Sequence, residues 1–208
     1  MSAASSTTAD GPRTAPVWVE SMGGPLIVVP VSALAAWQGC TETGAMAGDA
    51  TAPDDYDRAC AVDGLAGVIA VGEAGAQALV LADEPATSCY LPEHRAFLRW
   101  LAADSEAGLR AAAETVLAVP ATRWEECGTW VSDGPAVLMD SAEPGSRPGS
   151  EPGTGYPGGG VPAQAPVPLP AGRRRVRATH TEAAGGTWVG LVQLLPGAAD
   201  AGAFAAAQ

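Results

Sequence analysis

Apolar residues in this chain fall into short runs rather than long stripes. Leu26–Val31 is one such run, of strand length, and Gly23-Gly24-Pro25 before it is a turn signal. With Trp18–Ser21 on the other side of that turn, the pattern predicts two strands. Ser32 is placed to cap a short helix through Trp37, which Gly39 stops. Val68–Val71 and Gln77–Leu81 flank a Gly72–Gly75 turn and predict a hairpin. Pro92 opens a stretch to Ala103 in which Phe97, Trp100 and Leu101 fall at helical spacing, so a helix is expected there. Asp104-Ser105-Glu106 then caps an Ala-rich helix to Leu117, closed by Pro120. Gly128–Ser132 and Ala136–Asp140 predict a hairpin over Asp133-Gly134.

Strands in consecutive hairpins, with the main helices grouped mid-chain, indicate an α+β fold with a mostly antiparallel sheet. The ends and one internal stretch depart from this pattern. Residues 1–16 are small and polar and read as a disordered leader. Residues 141–172 are dense in Pro and Gly and read as a flexible insert. Beyond it, Arg175–Thr181 and Trp188–Leu195 form a hairpin around Gly185-Gly186. A lone hairpin is marginal in water, so these strands must pair with the sheet made before the insert. The expected organisation is one α+β domain over 17–195, interrupted by the insert, with a disordered tail over 196–208.

Charge narrows the function. Of the 208 residues, 23 are acidic and all 11 basic ones are Arg, a net charge of −12. Residues 17–141 carry 18 acids against 5 arginines, whereas 142–208 carry 4 against 5. An acidic body argues against nucleic-acid binding, which needs cations to displace phosphate counterions. Arg173, Arg174, Arg175 and Arg177 make a local basic strand start. No apolar run approaches membrane-span length, and the first residues lack the basic and apolar regions of a secretory signal. The expectation is a cytoplasmic protein. Cys40, Cys60, Cys89 and Cys127 show no CxxC spacing and read as reduced thiols.

Candidate chemistry is sparse. Asp54, Asp55 and Asp57, with Asp83 and Glu84 further on, could hold a divalent cation or act as acid and base. They could equally form solvated acidic loops or a contact surface. His94 and His180 sit in no catalytic motif; HExxH and GxSxG are both absent. Cys60 follows Arg58 closely and Cys89 lies just before His94, yet no triad assembles. The six tryptophans outnumber both Phe and Tyr. Trp18, Trp37 and Trp100 read as core residues. Trp124, in a loop beside Glu125 and Glu126, is a candidate interface anchor. No catalytic constellation is visible, no cofactor is indicated, and an acidic binding protein suits a basic partner.

Several motifs in order carry a resemblance: WVESMGGPLIVVP at 18–30, WQG at 37–39, DYDRAC at 55–60, DEPAT at 83–87 and FLRWL at 97–101. Together they resemble the bacterial polymorphic-toxin immunity proteins of family twenty-one, over residues 17–141 and more loosely the C-terminal strands. The resemblance implies a small cytosolic antidote that binds a toxin domain and occludes it without catalysis. On that reading Asp54, Asp55, Asp57, Asp83 and Glu84 present negative charge to a basic toxin cleft. Trp124, Glu125 and Glu126 form a second contact. The competing reading is a metal-dependent hydrolase or transferase using Asp55, Asp57, Asp83 and Glu84.

Overall fold

Strand β2, Leu26–Pro30, is buried at all five positions, and so is β8, Ala136–Asp140. A strand with no exposed face must be covered on both sides. The computed structural model, which describes residues 15–145, 164–183 and 185–197, shows what covers them. Two antiparallel sheets pack face to face, and each carries helical structure on its outer side.

The first sheet has the order β1-β5-β6-β11-β10-β7. Its strands are β1 Trp18–Val19, β5 Ser88–Leu91, β6 Ala96–Ala102, β7 Glu125–Ser132, β10 Gly172–Glu182 and β11 Trp188–Pro196. The second has the order β3-β4-β2-β8-β9, with β3 Gly67–Val71, β4 Ala76–Leu81 and β9 Gln164–Val167. Phe97, Trp130, Val176 and Val192 of the first sheet meet Leu26, Leu79, Leu138 and Val167 of the second in the central core. On the outer side of the first sheet, helix α2, Glu106–Ala118, lays Leu109, Ala113 and Val116 on Leu98, Val189 and Leu191. On the outer side of the second, a 3-10 turn over Val31–Ala36 and helix α1, Asp55–Cys60, bring Ala33, Trp37 and Ala59 onto Ile27, Val80 and Met139. This is an α+β fold in which every strand pairing is antiparallel.

The hairpin over 72–75 forms where the pattern placed it, with Val68 facing Leu79. The expected hairpin over Asp133-Gly134 does not form: the turn is there, but it carries the chain from β7 in the first sheet to β8 in the second, and the two strands pair with β10 and with β2 and β9 instead. The terminal hairpin does enter the earlier sheet: β11 pairs with β6 and β10 with β7. Helix α2 starts at Ser105, whose hydroxyl accepts from the Gly108 N–H at 3.1 Å.

Other expectations are corrected. Residues 92–103 are not a helix. Pro92–Arg95 is the tight turn of the β5–β6 hairpin, closed by His94 N–H to the Leu91 carbonyl at 3.2 Å. Pro92 suits a turn as well as a helix start. The helical spacing of Phe97, Trp100 and Leu101 came from two-sided burial: Phe97 points to the central core, while Leu98 and Trp100 face α2. Ser32 caps nothing, and the 3-10 turn begins after Pro30 without a side-chain cap. The acidic segment 54–57 is the start of α1 rather than a loop. Glu125 and Glu126 belong to β7, and only Trp124 lies outside it. The segment expected to be flexible takes in β9, an edge strand with Pro166 in it; its residues 146–163 lie outside the described residues, as do 1–14 and 198–208. No helix among the described residues is long and apolar enough to cross a membrane.

Of the tryptophans expected in the core, Trp37 is there, and Trp18 and Trp100 are half-buried against the α2 cluster. Trp37 is fully buried and donates Nε1–H to the Ser141 carbonyl at 3.1 Å. Trp18 and Trp100 meet edge to face at 5.5 Å between centroids and pack with the α2 cluster.

Candidate functional site

The acids of α1 spend their charge on their own backbone. Asp54 is 8% exposed. Its carboxylate accepts from the N–H of Asp57 at 2.8 Å and of Thr41 at 2.6 Å. Asp57 answers by accepting from the Asp54 N–H at 3.2 Å and from the Ala45 N–H at 2.9 Å. This reciprocal pair is a capping box, and it satisfies donors that a helix start leaves open. Asp55 accepts from the Gln38 N–H at 2.7 Å and pairs with Arg58. Gly44 closes the cradle, since a Cβ there would stand 2.0 Å from the Asp54 carboxylate. Burial pushes the Asp54 carboxyl up, but the hydrogen bonds outweigh it and hold it below the ordinary aspartate value. Together the three carboxylates anchor residues 38–45 to the outer layer of the second sheet.

Asp83 and Glu84 lie on the connection from β4 to β5, where the chain crosses from one sheet to the other. Arg99 shapes that crossing. It is 4% exposed, and its guanidinium donates to the carbonyls of Ala82 and Glu84. Burial lowers its pKa to about 10, against the pull of Asp83 and Glu84. Asp83 takes a left-handed φ of 68° and turns its carboxylate to His180 Nδ1 at 3.0 Å. The His180 ring stands nearly perpendicular to Trp188, at 5.3 Å between centroids. Trp188 is 41% exposed, the most accessible indole whose exposure marks it as a large surface hydrophobic.

The third group flanks the start of β7. Trp124 lies under the Arg177 guanidinium, 4.1 Å from the ring centroid. Glu125 accepts from the Leu65 N–H at 3.2 Å. Glu126 faces Arg175 at 3.5 Å, with both side chains more than half exposed.

The topology gathers some of these residues and separates others. The ends of β4 and β10 and the starts of β3, β7 and β11 lie at one end of the sandwich. Asp83, Glu84 and Glu125 are therefore neighbours there, with exposed Asp63 and Glu182 beside them and Trp188 among them. Asp63, Glu182, Trp188 and the Arg99 support are absent from the expectation drawn from sequence. The signal for Trp188 was its place one residue past the Gly185-Gly186 turn, where a strand's first side chain is accessible. Asp54, Asp55 and Asp57 form a separate group around α1. An open cleft of about 430 Å³ adjoins the gathered end, between α2 and β10, lined by Val119, Thr122, Arg123, Thr179 and Glu182.

The arrangement offers contact chemistry. His94 sits in the β5–β6 turn at the opposite end from His180, so the two histidines cannot share a task. The cysteines are free thiols, and burial drives Cys89 far above the ordinary thiol value. Among the described residues no three His, Cys, Asp or Glu side chains converge as a metal-ligand set, and no observation supports the hydrolase or transferase reading.

No curated protein and no solved structure resembles the chain closely enough to count as a match. The family model described as Immunity protein 21 matches residues 17–187, most of the chain, and the chain belongs to that family.

Proposed function

We propose that this protein binds a cognate toxin domain in the cytoplasm and neutralises it by stoichiometric occlusion. Family membership over residues 17–187 is the observation that carries the reading. The contact face we assign is the acidic end of the sandwich. Asp83, Glu84 and Glu125 are exposed there around a partly exposed Trp188, an arrangement of aromatic anchor and charged rim suited to a basic partner. Trp124 and Glu126 extend that face along β7. Asp54, Asp55 and Asp57, whose carboxylates are engaged internally, support the fold behind it.

The test is co-expression with the toxin-like domain encoded beside its gene, read as growth rescue and co-purification. The expected result is rescue with a tight one-to-one complex. A folded protein that neither rescues growth nor forms a complex would overturn the reading. Within a complex, Glu84→Arg with Glu182→Arg should slow association about tenfold at low salt, because rim charges act mainly on the association rate.

A further inference from the structure

We propose that the outer face of β10 is a second contact surface, one that takes an acidic segment of the same toxin domain. The proposal rests on the immunity reading above. Helix α2 covers only part of the first sheet, over β6 and β11. Beyond it, Arg173, Arg175 and Arg177 stand two residues apart on one strand, so their side chains leave by one face, about 7 Å between successive ones. Val176 and Ala178 between and beyond them point into the central core.

Among the described residues, the cations on this face are under-compensated. Opposite them across the register lie Val131, Thr129 and Glu126 of β7. Glu126 is the one carboxylate in that row, 3.5 Å from Arg175. Arg177 rests on the Trp124 ring and donates to Gln193 at 2.7 and 3.0 Å, neither of which carries charge. Arg173 makes no side-chain hydrogen bond or ion pair among the described residues. Arg177 has its pKa lowered by burial and then by the neighbouring Arg175. Among the described residues, a chain with 23 acids and 11 arginines thus keeps three arginines and one glutamate on the part of this sheet face that α2 does not cover. Carboxylates brought by a partner would relieve that repulsion.

The charge pattern also chooses the class of partner. A net charge of −12 repels a polyphosphate, and the Trp124 ring face is already covered by Arg177, so it is closed to base stacking. A short protein segment with acids at alternate positions carries fewer charges per unit length, so it meets less of that repulsion, and it needs no free ring face.

The experiment uses the full chain, its Arg173→Glu/Arg175→Glu variant and the milder Arg173→Gln/Arg175→Gln variant. Both positions are exposed, and thermal unfolding verifies the fold. The first probe is a short peptide of alternating Glu and Ser. The expected result is binding to the wild type at low salt, weakened about tenfold or more by either variant. No binding, or equal binding to wild type and variants, overturns the proposal. So does tighter binding of an oligothymidylate of the same length, which would assign the face to nucleic acid. The second probe is the toxin domain. Slower association with a flatter salt dependence in the variants is expected. Unchanged kinetics overturns this surface and leaves the immunity reading standing. If the toxin domain does not bind the wild type at all, the immunity reading fails, and the toxin half of this proposal fails with it.

Discussion

Asp54→Ala separates a carboxylate that builds the fold from one that meets a partner. In the structure this side chain accepts from the N–H of Asp57 and Thr41 and from the Thr41 hydroxyl, at 2.8, 2.6 and 3.3 Å. Losing an N-cap costs about 1 kcal/mol. Leaving the Thr41 N–H short of its acceptor adds about 1–2 kcal/mol. For a domain of this size each kcal/mol lowers Tm by about 2–4 °C, so the expected drop is roughly 5–10 °C. Circular dichroism on heating at neutral pH measures it. The effect should also depend on pH. Because the folded-state pKa lies below the unfolded one, near 3.9, the carboxylate's contribution is complete above about pH 5. It is lost as pH falls through the folded value, so the gap between wild type and variant should close in acid. An unchanged Tm together with lost toxin binding would refute this reasoning and make Asp54 a contact residue.

Arg99→Ala removes the donor for the Ala82 and Glu84 carbonyls and should cost about 3 kcal/mol in urea unfolding; a loss under about 1 kcal/mol would show that the crossing holds itself. Trp188→Ala should leave stability within about 1 kcal/mol, since the ring is 41% exposed, yet weaken the toxin complex about tenfold or more. An unchanged Kd removes Trp188 from the contact face. Timed alkylation followed by mass spectrometry should modify exposed Cys60 early and buried Cys89 only on unfolding, because burial holds the Cys89 thiol protonated. Early modification of Cys89 contradicts the packing under α2.

Local signals were legible where backbone chemistry is local. The turns at 72–75, 133–134 and 185–186 were marked by Gly, and Ser105 announced α2. Periodicity failed where layers lie on both sides. The β5–β6 hairpin is buried on two faces, so its apolar residues carried no strand alternation, and Phe97, Trp100 and Leu101 mimicked a helix. Asp54 and Asp57 looked like loop acids because a capping box of two aspartates resembles a solvated turn. Strand β9 hid behind Pro166, which a sheet edge tolerates. At the candidate site, Asp83, Glu84 and Glu125 were readable as acids, but the Asp83–His180 pair joins residues 97 apart in sequence, and only the folded topology reveals it.

The position of β10 and β11 has a consequence for timing. They fill the gap between β6 and β7, so the first sheet lacks its two middle strands until residues 172–196 have been made. Chains grow at about 5–20 residues per second, N-terminus first. A nascent chain halted before β10 carries unpaired edges on β6 and β7 and lacks Val189 and Leu191 beneath α2. It also lacks His180, Trp188 and the arginine row. On the function proposed above, partial synthesis yields no partial antidote, and a cell making both proteins would have to finish this chain before the toxin domain became active.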